Sequence, residues 1–226
     1  SQGYDVIWAW SGTYPNAVLE VAPEFPDVTF AAITGPGMDW PDNVWAVSHE
    51  FEDAYFLAGA MAGLLTETNK IGQVGGIEIP IYVASANAYE AGAIYANPEA
   101  QVFTAFIGDF NDPVGGKQAA AAQIENGADI VASSLDLGVL GIVEAAREAG
   151  EVSVMTLLSD QYEIAPDVVL GSVIMDYPLA IVEVSKAVAG GERSGYYPIS
   201  WSADTAHWAE LHGQVSDEAF ERLQEI

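Results

Sequence analysis

An α/β fold built from parallel sheets and divided into two lobes is what the sequence predicts, on three observations. Short β-branched runs alternate with amphipathic stretches of about 10–15 residues, the rhythm of βαβ units. Several runs are continuously apolar, as strands are when helices cover both faces of a sheet. The predicted strands number near eight over 226 residues, more than one small doubly wound sheet uses.

The first strand is predicted over 6–10, followed by Ser11-Gly12-Thr13, with Thr13 as the N-cap and Pro15 in the first turn of a helix over 16–25. A second strand over 28–34 ends at the breaker Gly35-Pro36-Gly37. A third strand over 44–48 leads into a long helix over 50–66, whose Gly59 and Gly63 suggest close helix–sheet packing. The rhythm then repeats. Strands over 71–75, 101–107, 129–134 and 152–158 precede helices over 81–96, 115–125 and 139–149 and a loop. A strand over 168–174 and a helix over 179–189 follow. Beyond Gly190 there is no clean period, apart from a terminal helix over 217–226. This pattern divides the chain into one lobe of residues 1–48 plus 176–226 and another of residues 49–175.

Composition narrows the function. Thirty-three acidic side chains face six basic ones, for a formal net charge of −27. Phosphate binding needs clustered lysine and arginine, and the six here are scattered, so nucleic acid is excluded as a partner. With no cysteine there is neither a disulfide nor a thiolate. No apolar run is long enough to span a bilayer. Half of the residues are apolar and 11% are aromatic, enough for a core. The near-absence of lysine beside so many carboxylates fits a surface adapted to concentrated salt, where charge repulsion is screened.

In open α/β sheets ligands bind outside the carboxyl ends of the strands. At those positions the chain carries Trp10 and Ser11, then Asp109-Phe110-Asn111-Asp112, then Asp136, Asp160 and Asp176. Clustered acceptors suit a ligand rich in hydroxyl or amine donors, and Phe110, Tyr89 or Tyr177 offers a ring to stack on a flat base. Several candidates have a second reading. Asp112 before Pro113 caps a helix, Asp136 and Asp160 occupy turns, and Phe110, Tyr89 and Trp10 fill a core. His49, His207 and His212 lack metal-site spacing. There is no Gly-x-Ser-x-Gly elbow, Walker loop or dinucleotide fingerprint, and no cofactor is called for.

Several motifs resemble the basic membrane protein family of ABC-transporter substrate-binding lipoproteins. They are Val74-Gly75-Gly76-Ile77-Glu78-Ile79-Pro80, Asn87-Ala88-Tyr89-Glu90-Ala91-Gly92-Ala93 and Ile107-Gly108-Asp109-Phe110-Asn111-Asp112-Pro113, with Asn126-Gly127-Ala128-Asp129-Ile130 and Ser159-Asp160-Gln161. The likeness runs from about Tyr4 to Gly191. It implies a type I periplasmic-binding-protein fold, with two doubly wound lobes joined by a hinge and closing on the ligand. Because the chain begins almost directly in a strand, the fold is expected to lack its first βα unit. Carried over residue by residue, the ligand pocket falls on Trp10, Ser11, Phe110, Asp136, Asp160 and Asp176, with Asn87 and Tyr89 as further candidates.

The expected protein is therefore a non-enzymatic solute receptor, lipid-anchored on the outer face of the cell membrane or periplasmic. It would deliver a nucleoside-like solute to an ABC permease. The alternatives are a nucleoside hydrolase-like enzyme using Asp136 or Asp160, and the effector-sensing part of a transcriptional regulator. The charge carries its own prediction. Raising salt from about 0.1 M to about 1 M shortens the screening length from about 10 Å to about 3 Å. The thermal midpoint should climb steeply across that range, and a flat midpoint by circular dichroism would remove the salt-adapted reading.

Overall fold

Burial of the strands on both faces dictates the architecture. The computed structural model describes residues 3–35 and 37–226, so Pro36 of the expected breaker lies outside the described residues; Gly37 beside it has φ +78°. The chain forms two compact units, Ser1–Phe51 with Asp176–Ala206, and Glu52–Met175 with His207–Ile226.

In the first unit, β1 (Val6–Ala9), β2 (Thr29–Thr34), β3 (Val44–His49) and β9 (Gly195–Ile199) form a sheet in that order, with all three pairings parallel. Every residue of β2 and β3 is buried, in keeping with two covered faces. Helix α1 (Pro15–Val21) packs Val18 onto Phe30, Ala32 and Val44. Its N-cap is Tyr14 without a side-chain bond, not Thr13, whose hydroxyl pairs instead with Ser11 Oγ at 2.9 Å. Buried Asn43 directs Nδ2 at the carbonyls of Ala22 and Val28, both at 2.9 Å, and pins the turn after α1 to the entry of β3. Helix α6 (Tyr177–Ala189) completes the unit.

The second unit holds β4 (Lys70–Gly75), β5 (Gln101–Phe106), β6 (Ile130–Ser133), β7 (Ser153–Leu158), β8 (Val169–Met175) and β10 (Ala206–Trp208), in the order β10-β8-β7-β6-β4-β5. The pairings from β5 through β8 are parallel. Helices α2 (Glu52–Leu65), α3 (Pro80–Ala96), α4 (Pro113–Glu125), α5 (Val139–Ala149) and α7 (Asp217–Gln224) surround it. One core cluster joins Val74, Val131, Ile142 and Val154. Beneath the sheet, buried Gln73 donates to Ala86 O and Thr104 Oγ1, both at 2.9 Å, while Gln123 donates to Gln73 O at 2.9 Å and Phe103 O at 2.8 Å.

Three expectations change. The segment after Gly190 contains two strands. β9 carries Pro198 at a sheet edge, where a missing N–H is tolerated, and β10 is too short to show a period. Residues 207–226, expected with the first lobe, belong to the second unit, because β10 joins β8 and α7 packs on α2. Gly59 and Gly63 serve helix–helix rather than helix–sheet packing. A Cβ on Gly59 would lie 1.8 Å from Tyr89 O, one on Gly63 2.5 Å from Ala93 O, and one on Gly92 1.9 Å from Phe56 O. The backbones of α2 and α3 therefore touch, and neither helix can retreat without opening the core. Gly59→Ala should cost about 3 kcal/mol or more, at the upper end of overpacking penalties, read by chemical unfolding in high salt.

Candidate functional site

The loops that follow parallel strands carry nearly all of the candidate residues, and each unit presents its own set. In the second unit, Gly108 at φ +83° turns the chain after β5 toward Phe110. The Phe110 carbonyl accepts the N–H groups of both Asp136 and Gly138 at 3.0 Å, which locks the loop after β5 onto the loop after β6. Its half-buried ring meets Tyr82 edge-on, with centroids 5.3 Å apart, and lies over Gly76, where a Cβ would come within 2.4 Å of it. Only glycine fits beneath that ring.

The carboxylates divide by what holds them. Asp112 accepts Val114 N–H at 3.0 Å as the N-cap of α4, and Asp109 accepts Asn111 N–H at 2.9 Å. Asp160 accepts Tyr162 N–H at 3.0 Å and the Ser172 hydroxyl at 3.4 Å. That loop leaves β7 through Leu158 at φ 148°, a conformation a branched side chain adopts only when its surroundings enforce it. Beside it, buried Gln161 Oε1 has no hydrogen-bond partner among the described residues. Asp136 differs from all of these. Desolvation raises its pKa above the ordinary aspartate value, and its carboxylate shows no hydrogen bond among the described residues. Asn87 is exposed on α3. Tyr89 is 0% exposed against α2, with its hydroxyl pKa pushed up by burial, so its ring serves the core and not a ligand surface in this structure.

In the first unit, Trp10 follows β1 and is 37% exposed. Its ring meets Trp8 at 5.3 Å and Tyr177 at 5.1 Å, both edge-on. Tyr177 OH lies 3.1 Å from His49 Nε2, and His49 stacks on Phe51 with centroids 4.2 Å apart. Ser11 Oγ is engaged locally, accepting Thr13 N–H at 3.3 Å. Asp176 accepts Leu179 N–H at 2.9 Å as the N-cap of α6, a role the sequence reading did not assign it. At the carboxyl ends of β2 and β3, buried Thr34 Oγ1 and His49 Nδ1 lack partners among the described residues.

Sequence reasoning thus missed Thr34, His49, Tyr82 and Gln161. The histidine spacing gives His49 no metal role; its position at a strand end is the usable signal. Among the described residues no group of side chains is arranged to hold a metal ion, and no helix is long and apolar enough to cross a membrane.

Two units of parallel sheet with helices on their faces define the class of type I periplasmic binding proteins. A solute-binding protein of an ABC transporter from Aeropyrum pernix superposes with a TM-score of 0.86 at 20% identity, covering 99% of this chain and 70% of that one. Residues 1–204 match the family Bmp, described as ABC transporter substrate-binding protein, PnrA-like, and the chain belongs to that family. Basic membrane protein A of Borreliella burgdorferi is 32% identical over 182 residues, 79% of this chain and 54% of that protein. A purine-binding protein of Brucella abortus is 26% identical over 221 residues, 98% of this chain and 59% of its own length. The chain spans about half the length of the curated relatives it matches.

Burial moves the His49 pKa from 6.5 down to about 3, so the folded state holds the ring neutral. The unfolded chain binds that proton first, so its contribution to stability is complete above about 6.5 and is lost as pH falls from there toward about 3. His49→Phe should flatten the loss of stability across that window, as measured by unfolding at stepped pH.

Proposed function

We propose that this chain is the solute-binding part of an extracytoplasmic receptor that passes a purine nucleoside or related solute to an ABC permease. The observation that carries the reading is the fixed pairing of Phe110 with Asp136. Two backbone hydrogen bonds tie the loop that carries an aromatic ring to the loop that carries a partly desolvated carboxylate with no hydrogen bond among the described residues. A ring of this kind stacks on a base, and a carboxylate without a partner accepts from ribose hydroxyl or base amine groups. Asp160 and Asp176 each keep a second oxygen for the same task. Trp10 and Ser11 are the candidate contacts of the first unit, and Asn87, exposed on α3, is a further one. Membership of a substrate-binding family and a purine-binding relative support this reading over the hydrolase and the regulator. We place the receptor outside the cytoplasm on a lipid anchor beyond this segment, in a concentrated-salt environment suited to a charge of −27.

Titration calorimetry in high salt with adenosine, guanosine, inosine and ribose tests this. A nucleoside should bind and be recovered intact. Phe110→Ala should weaken it by about tenfold to a hundredfold, the worth of one base–aromatic stack. Asp136→Asn should weaken it by about tenfold, the scale of one charge-assisted hydrogen bond. Absence of heat from all four compounds removes the nucleoside claim, and release of free base would establish the hydrolase instead.

A further inference from the structure

The segment after β10 has no part in the reading above, yet it reaches Asp160 by two routes within the second unit. The first runs through the backbone. Ala209 N–H donates to Ser172 O at 2.9 Å. The hydroxyl of that serine donates to Asp160 at 3.4 Å and accepts Gln161 N–H at 3.3 Å and the Thr156 hydroxyl at 2.7 Å. Leu211 lies over Gly171 on the same strand, where a Cβ would come within 3.2 Å of its Cδ2.

The second route is a ring pair. His212 at φ 50° and Gly213 at φ 74° turn the chain through two successive left-handed residues. That turn lays the imidazole flat on Tyr162, with centroids 3.7 Å apart and planes 10° from parallel. Tyr162 is the residue whose N–H is given to Asp160. The pair forms one wall of an open groove also lined by Leu211, Val215 and Phe220. A loop leaving its strand through the strained Leu158 needs such external support.

We propose that residues 207–213 position the Asp160 carboxylate for ligand, with His212 as the positioning residue; this rests on Asp160 being a ligand acceptor. The imidazole acts through its flat face, so an aromatic replacement restores it.

The full chain, in high salt, is compared with its His212→Ala and His212→Phe variants by amide hydrogen exchange at Gln161 and Tyr162 and by nucleoside titration. His212→Ala should speed both amides and weaken nucleoside binding by about tenfold, the scale of one misaligned bond to a charged acceptor. Its thermal midpoint should stay near that of the parent. His212→Phe should return both readouts to within about twofold, because a stacked ring pair is retained. Parent-like exchange in the alanine variant overturns the proposal. So does faster exchange with unchanged affinity, or a phenylalanine variant that behaves like alanine. If the alanine chain does not fold, His212→Leu fills the space without a flat face, and parent-like exchange there is equally decisive against it. If no nucleoside binds the parent chain, the proposed function fails, while the exchange measurements still judge the support of the loop.

Discussion

Parallel pairing is the constraint on which the rest of the molecule depends. When neighbouring strands run in one direction, their carboxyl-end loops emerge at the same edge, and each return crosses back by a connection that is usually a helix, as it is after β1, β4, β5 and β6. Both faces are then covered along the inner strands, which is why β2, β3, β6 and most of β4, β7 and β8 are buried while the edge strand β5 is not. The covering helices have to fit a fixed spacing. Where α2 and α3 lie together, Gly59, Gly63 and Gly92 let one backbone rest on the other. The interior amides of Asn43, Gln73 and Gln123 then tie helices and turns to strands through backbone carbonyls.

The same constraint explains why capping and candidate recognition fall on the same side chains. A strand that ends at the carboxyl edge hands over to a helix whose first N–H groups need acceptors. Aspartate supplies one with a single oxygen, as Asp112 and Asp176 do, and keeps the other. Phe110 shows the counterpart on the backbone. Its carbonyl takes up two N–H groups of the neighbouring loop, so the backbones of the two loops are tied together. Order in the loops therefore comes from satisfying the chain's own polar groups before any solute arrives.

What could be read from residues alone follows from this physics. Continuous apolar runs and helix periods gave β2, β3, β4, α3 and α5 nearly to the residue, because burial on both faces leaves a strong pattern. β9 and β10 were hidden, one by an edge proline and two tyrosines, the other by having only three residues. The strand-end rule pointed to Phe110, Asp136, Asp160, Trp10 and Asp176 as residues of one edge in each sheet. It could not see that Tyr89 faces α2, since a helix of mixed apolar composition does not announce which ring meets a neighbour. Nor could it find the Trp8–Trp10–Tyr177–His49–Phe51 chain of rings, which draws on three separate stretches of sequence.

In a chain with 33 acidic residues, the presence of a carboxylate says little, and its surroundings decide what it does. Most carboxylates here face water, where their charge is well solvated and, in concentrated salt, screened. Asp167 is an example, with its pKa held down to about 2 by the Arg147 guanidinium in an exposed pair. Asp136 differs in having no protein donor among the described residues, and partial desolvation raises its pKa although the residue still reaches solvent. A carboxylate that the fold leaves without a donor keeps its oxygens open to a donor brought by a solute, and partial desolvation strengthens that bond. Acidity spread over the surface and acidity used for recognition are thus separable by a single physical test, whether the fold has already supplied the carboxylate with a partner.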